Sequence, residues 1–226
     1  MKKIPSLYIR DWEGNKSLVT RERNPECEWV FDGEGTPTRK WDGTCCMVRK
    51  GKLYKRYDAK FNKKKGIWKP KPDGFEPCQE PDKITGHQPG WIPVRYETKE
   101  EKRENLYYKM AWDLIDKVND YTEGNLYLNF PNPKYVDGTY ELVGITINGN
   151  PERLNGLYFI KHGYNSISSI AGYKYNNSMR LNVEQSLKYD AIKKYLECHR
   201  IEGIVWHHPD GRMSKIKRID FGLEWS

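Results

Sequence analysis

Hydrophobic and polar positions alternate over short stretches in the first half of the chain, interrupted by glycine, proline and asparagine. That pattern predicts strands. Residues 7–30 alternate loosely, with breaks at Gly14-Asn15 and Asn24-Pro25. Glu28-Trp29-Val30-Phe31 reads as a strand stopped by the turn Asp32-Gly33-Glu34-Gly35. Thr44-Cys45-Cys46-Met47-Val48 and Lys52-Leu53-Tyr54-Lys55-Arg56-Tyr57 read as a hairpin joined at Lys50-Gly51. It sets Lys40 at the entrance of one strand and Arg56 near the end of its partner. Residues 58–81 carry Asn62-Lys63-Lys64-Lys65-Gly66 and then Pro70, Pro72, Pro77 and Pro81, which reads as an irregular basic loop. Gly86-His87-Gln88-Pro89-Gly90-Trp91-Ile92-Pro93-Val94 reads as a loop leading into a short strand.

The period lengthens beyond residue 98. Thr98 can cap a helix over residues 98–120, with Glu100, Glu101 and Glu104 near its positive end. Leu106, Met110, Leu114, Ile115 and Val118 recur on the face expected to pack on a sheet. After a break at residues 121–125, strands are expected at 126–128, 140–144 and 157–160. A second helix is expected to begin at Asn182 with Gln185 as capping partner. Its inner face would hold Val183, Leu187, Ile192, Tyr195 and Leu196, and it would end near Cys198. Glu202-Gly203-Ile204-Val205-Trp206 is a strand with an acid at its mouth, and residues 207–211 turn into Lys215-Ile216-Lys217. Alternation puts Lys215 and Lys217 on one face.

Composition narrows the class. With 226 residues, 37% hydrophobic, the chain can fill one sizeable core. It has no apolar run of the roughly 18 residues a spanning helix needs. The basic start Met1-Lys2-Lys3-Ile4-Pro5-Ser6 is not followed by an apolar segment, so a cytoplasmic protein without membrane partners is expected. A net charge of +8 favours a polyanionic partner, although a lysine-rich solvated surface would give the same number. Cys27, Cys45, Cys46, Cys78 and Cys198 lack metal-site spacing and read as small buried hydrophobes in a reducing compartment.

The chemistry centres on Lys40-Trp41-Asp42-Gly43. A lysine can attack the α-phosphate of a nucleotide only when neutral, and its ordinary pKa is about 10.4. Positive neighbours or a metal must therefore stand close by. Glu141, inside the apolar strand Tyr140-Glu141-Leu142-Val143-Gly144, also needs a partner, a metal or an edge position facing water. Each motif is weak alone. Their order is not: Lys-x-Asp-Gly, a strand arginine, an in-strand glutamate, Glu-Gly-hydrophobic-Val and Lys-x-Lys follow the motif order of covalent nucleotidyltransferases.

Further segments sharpen the likeness: Glu28-Trp29-Val30, Pro89-Gly90-Trp91-Ile92-Pro93-Val94, Asp137-Gly138-Thr139, Asn148-Gly149-Asn150-Pro151-Glu152, Lys161-His162-Gly163 and Asp220-Phe221-Gly222-Leu223. From about Cys27 to Trp225 the chain resembles the small ATP-dependent 5′–3′ RNA ligase family, known in vertebrates, viruses and bacteria. The resemblance implies one α+β domain spanning residues 1–226, of the nucleotidyltransferase (adenylyltransferase) fold and ATP-grasp-like ligase type. Antiparallel sheets with flanking helices and no OB domain are expected. It implies a monomer that joins RNA 5′-phosphate and 3′-hydroxyl ends using ATP and Mg2+ or Mn2+.

By the same resemblance Lys40 is the adenylated nucleophile, Asp42 orients it or holds a metal-bound water, and Gly43 lets the backbone approach the nucleotide. Arg56 contacts the sugar or a 5′-phosphate, Glu141 binds the ribose, and Glu202 with Asp42 holds the metal. Lys215 and Lys217 hold the α-phosphate. Phe159, or its neighbour Tyr158, stacks on adenine. His162 falls in a family segment with no mechanism attached. The competing readings are a DNA nick ligase, an mRNA guanylyltransferase, and a non-catalytic RNA-binding protein with a ligase fold.

Overall fold

The computed structural model describes residues 2–62, 64–82, 85–115, 134–163 and 187–225. In chain order the strands are β1 (Tyr8–Arg10), β2 (Val19–Arg23), β3 (Thr36–Lys40), β4 (Thr44–Arg49), β5 (Lys52–Asn62) and β6 (Ile67–Trp68). They continue with β7 (Glu76–Pro77), β8 (His87–Pro93), β9 (Gly138–Gly144), β10 (Leu157–Lys161), β11 (Gly203–His207) and β12 (Met213–Lys217). The α-helices are α1 (Glu28–Phe31), α2 (Lys99–Glu104), α3 (Leu106–Ile115) and α4 (Tyr189–Cys198). This is a mixed α/β protein with antiparallel sheets. The chain divides into two compact units, one of Met1–Lys3 with Gly43–His162 and one of Ile4–Asp42 with Gly163–Ser226.

The first unit is built on a seven-stranded sheet in the order β10-β9-β4-β5-β8-β7, with β6 paired to β5. Its middle hairpin closes at Lys50-Gly51, where both residues take positive φ (52° and 68°), the requirement of a two-residue turn that matches strand twist. One face carries Cys46, Val48, Leu53, Tyr140, Leu142 and Phe159, and these pack with Ala111 and Ile115 of α3 into a core. Tyr108, also on α3, bonds its hydroxyl to that of Thr44 at 3.0 Å.

Two expectations need correction here. The helix predicted over 98–120 starts at the Thr98 cap, whose capping box with Glu101 is complete, but it breaks at Asn105. Asn105 is buried and accepts from Lys55 Nζ at 2.7 Å while donating to the Arg95 carbonyl at 2.7 Å, so its amide serves β5 rather than the helix. The restart shifts the buried stripe to Tyr108, Ala111, Trp112 and Ile115, and leaves Leu106, Met110 and Leu114 exposed. Val118 lies outside the described residues. Likewise, 58–62 and 87–93 are strand rather than loop, because β5 runs on to Asn62 and pairs with β8 as far as Lys60 opposite His87. Lys63 is outside the described residues.

The second unit holds the three-stranded sheet β12-β11-β3 and the β1–β2 ribbon. Leu7, Tyr8, Trp29, Val30, Phe31, Ile192, Leu196, Ile204, Trp206 and Ile216 form its core. Glu28–Phe31 is a helical turn, not the predicted strand. Asn24 accepts from Glu26 N at 3.1 Å and Pro25 occupies the first turn, so Asn24-Pro25 is a helix start where it reads as a strand break. Within the second helix, α4 begins at Tyr189 and buries Ile192 and Leu196 as expected. The predicted start at Asn182, with Val183 and Gln185, and the strand at 126–128 after its break, lie outside the described residues.

Candidate active site

In the second unit the register of the three-stranded sheet decides what shares a surface. Lys40, Gly203 and Lys217 are direct cross-strand neighbours, as are Thr38, Val205 and Lys215 in the next row of that face. Directly opposed residues project to the same side, so the three lysines share one face. The other face sends Ile204, Trp206 and Ile216 into the core. Between Lys40 and Lys217 the central strand has no side chain. A Cβ on Gly203 would come 2.2 Å from the Ile216 carbonyl oxygen, so the bare position is also demanded by packing.

The lysine-bearing strand is held from several sides. Leu7 N donates to the Lys215 carbonyl at 2.8 Å, and Lys215 N donates to the Pro5 carbonyl at 3.0 Å, which adds the N-terminal segment as a parallel neighbour. Asp220, buried, accepts from Lys217 N at 2.8 Å and from Arg10 at 3.0 Å. Arg218 donates to the carbonyls of Leu196 and His199, satisfying the C-terminal end of α4. Pro5–Leu7, Arg10 and Arg218 therefore fix the backbone of a strand whose side chains do something else.

Charge is concentrated on that face. Lys40 Nζ donates to a Glu202 carboxylate oxygen, and both side chains are largely buried. Burial pushes the Glu202 carboxyl up, as does the Asp42 carboxylate, against the pull of Lys40 and Lys217. Lys215 is driven down to about 8, chiefly by burial and then by the charges of Lys40 and Lys217. Trp225 Nε1 donates to Asp42 Oδ2 at 2.7 Å, and the Arg200 guanidinium lies 5.4 Å from the Trp225 ring centroid. The carboxylates of Asp42 and Glu202 are hard oxygen donors of the kind Mg2+ takes, and the lysines beside them suit phosphate oxygens.

The first unit presents a different surface. On the sheet face opposite α3, register places Ile160 beside Glu141 and Glu141 beside Cys45, with Arg56 beside Trp91 further along. Glu141 is not at a water-facing edge. Its Oε2 lies 3.0 Å from His162 Nε2, and His162 Nδ1 lies 3.0 Å from Thr139 Oγ1. Burial, reinforced by the Glu141 charge, raises the Cys45 thiol to about 12. Arg56 contacts Asp58 at 3.3 Å and lies 5.8 Å from the Trp91 ring centroid. Gly43 abuts β9, where a Cβ would stand 2.3 Å from the Leu142 carbonyl oxygen.

Phe159 is the candidate residue the structure moves. Strand alternation turns it to the α3 side, where it is buried edge-on against Trp112 and Tyr140, so its ring offers no face to a base. Tyr158 points to the Glu141 side and bonds Asn155 at 2.8 Å.

A family model described as RNA ligase 1 matches residues 73–226. A protein named RNA ligase 1 from Pongo abelii is 31% identical over 229 aligned positions, covering 84% of this chain and 68% of its own. The Mus musculus and Danio rerio proteins of that name are 29% and 28% identical, each alignment covering 99% of this chain and, respectively, 81% and 82% of theirs. The chain belongs to the RNA ligase 1 family. The resemblance read from the motifs is thereby borne out, and with it the assignment to the ligases.

Membership in the RNA ligase 1 family gives the lysine face its context. Among the described residues no helix is long and apolar enough to cross a membrane. Motif reading found Lys40, Glu202, Lys215 and Lys217 together. It missed Trp225 as the partner of Asp42, and Cys45, which reads as a plain buried hydrophobe. Only cross-strand register over about a hundred residues brings Cys45 to Glu141.

Proposed function

We propose that this chain is an ATP-dependent RNA ligase of the nucleotidyltransferase fold that works through a covalent lysine–AMP intermediate. The observation that carries the reading is the gathering of Lys40, Lys215 and Lys217 on one sheet face, with Glu202 bonded to Lys40. Lys40 Nζ attacks the α-phosphorus of ATP and pyrophosphate leaves. The adenylyl group then passes to an RNA 5′-phosphate, freeing Lys40. A 3′-hydroxyl attacks that phosphorus, the strand closes and AMP departs.

Each residue has a physical task in this sequence. Attack at phosphorus builds charge on the non-bridging oxygens, which Lys215 and Lys217 neutralise. Their charges also oppose the protonated form of Lys40, the form that cannot attack. Glu202 orients Nζ, and Asp42 is oriented by Trp225. Asp42 and Glu202 would hold Mg2+ or Mn2+, which on binding supplies further charge for the phosphate oxygens. Glu141 binds the ribose, Arg56 binds a phosphate or sugar, and Tyr158 takes over the adenine contact from Phe159. The net charge of +8 suits an RNA backbone.

The test is incubation with α-labelled ATP or GTP and Mg2+, then a denaturing gel, with Lys40→Ala alongside. A band labelled by ATP and absent in the variant is expected, followed by sealing of an RNA with 5′-phosphate and 3′-hydroxyl ends. Labelling by GTP would favour a guanylyltransferase. Failure of folded, non-adenylated protein to label at all would leave RNA binding as the better account.

A further inference from the structure

We propose that Cys45, Glu141 and His162 form a binding site for a borderline-soft divalent cation, zinc in chemical class, and that its occupancy inhibits adenylylation. The thiol sulfur, a carboxylate oxygen and an imidazole nitrogen all lie within 4.8 Å of one another. With metal–ligand distances near 2.0–2.3 Å, tetrahedral zinc holds its donors about 3.3–3.6 Å apart. The Glu141–His162 pair is at 3.0 Å, so closing the set chiefly means drawing in the Cys45 sulfur from within 4.8 Å of both.

The donors are well anchored. Cys45 and Glu141 are direct cross-strand partners on β4 and β9. His162 follows β10 and continues its ladder, with its backbone N–H donating to the Thr139 carbonyl at 3.0 Å. Thr139 Oγ1 engages Nδ1, which fixes the ring and directs Nε2 at Glu141. An outer hydrogen bond on the far imidazole nitrogen is the usual support of a metal-bound histidine. The mix of sulfur, nitrogen and oxygen suits zinc and discriminates against Mg2+, which takes oxygen donors. Three protein ligands would leave a fourth position for water.

The inhibitory consequence rests on the reading that Glu141 binds the ribose: a carboxylate holding the ion is withdrawn from the nucleotide. Its donor set, with sulfur and nitrogen beside one carboxylate, differs in chemistry from the carboxylates proposed for Mg2+.

The experiment uses the full chain stripped with EDTA and titrated with CoCl2 and ZnCl2. One equivalent of Co2+ should produce a thiolate-to-cobalt charge-transfer band that Zn2+ abolishes. Cys45→Ser should lose the band, His162→Gln should weaken binding at least tenfold, and Cys78→Ser should behave as wild type. A spectrum lacking the thiolate band, or one unchanged in Cys45→Ser, would overturn the site. In parallel, micromolar Zn2+ over millimolar Mg2+ should lower ATP labelling at least tenfold in wild type and spare Cys45→Ser. Equal inhibition of both would overturn the inhibitory role, placing the ion elsewhere. If zinc-free wild type does not label with ATP, the adenylylation reading fails, and the cobalt spectrum still decides the site.

Discussion

The two units use antiparallel sheet in contrasting ways. In the second, a short sheet collects its charged groups in neighbouring rows, and three of them lie within one residue of a strand end: Lys40, Glu202 and Lys217. In the first, a wide sheet strings its polar groups across strands, with Glu141 and Arg56 in mid-strand and Cys45 second in β4. Strand ends allow flexible side chains to converge on a small target, which suits a reacting phosphorus. Mid-strand positions hold side chains at fixed spacing, which suits recognition of a rigid ligand or ion. The expectation is that the second unit governs the chemical step and the first governs affinity.

The largest effect should come from testing that division directly. Glu202→Gln keeps the shape but removes the charge that pairs with Lys40, and labelling by ATP should fall about 10³-fold, mainly in kcat. Glu141→Gln should raise KM for ATP by about tenfold with a small change in kcat. Single-turnover labelling across ATP concentrations separates the two. A kcat defect in Glu141→Gln as large as that of Glu202→Gln would erase the distinction.

What could be read beforehand follows the same divide. Alternation alone puts Lys215 and Lys217 on one face, and the motif order of the family the chain resembles adds Lys40 and Glu202 to them. The antiparallel strands and the Thr98 cap were legible for the same local reason. The break at Asn105 was not, since it depends on Lys55 and the Arg95 carbonyl. Nor was the orientation of Phe159, because adjacent aromatics Tyr158 and Phe159 fit either phase of a two-residue period. The N-terminal segment beside Lys215 joins residues some two hundred positions apart, and no local pattern announces it.

A second comparison concerns the glycines that adjoin each group. Both Gly203 and Gly43 face a carbonyl oxygen of the next strand, at 2.2 and 2.3 Å from an added Cβ. Backbone cannot yield as a side-chain tip can, so Gly203→Ala and Gly43→Ala should each cost about 3 kcal/mol, the upper part of the range for overpacking. Urea unfolding measures this. The Gly203 variant should also lose labelling, because the strand that shifts carries Lys215 and Lys217, whereas Gly43→Ala should chiefly weaken ATP binding. A neutral Gly203→Ala would mean that the bare position serves only the ligand.

The smallest effect sharpens the contrast from the side of stability. Lys215 has a folded pKa of about 8 against 10.5 for a free lysine, because it is buried beside Lys40 and Lys217. Below pH 8 both folded and unfolded chains keep the proton, and folding bears the full cost of the buried charge. Between pH 8 and 10.5 the unfolded chain binds more protons than the folded one, so stability from this group rises with pH. Lys215→Met should therefore be more stable than wild type by about 1–2 kcal/mol at pH 7, after allowing for the partial exposure of the side chain. That advantage should shrink through pH 8–10 and vanish above 10.5, as followed by urea titrations at each pH. Thr139→Val, in the first unit, carries no such charge and should give no comparable trend. If Lys215→Met is instead less stable than wild type at pH 7, the lysine is held by attractive contacts, and the second unit is not storing repulsion for its chemistry.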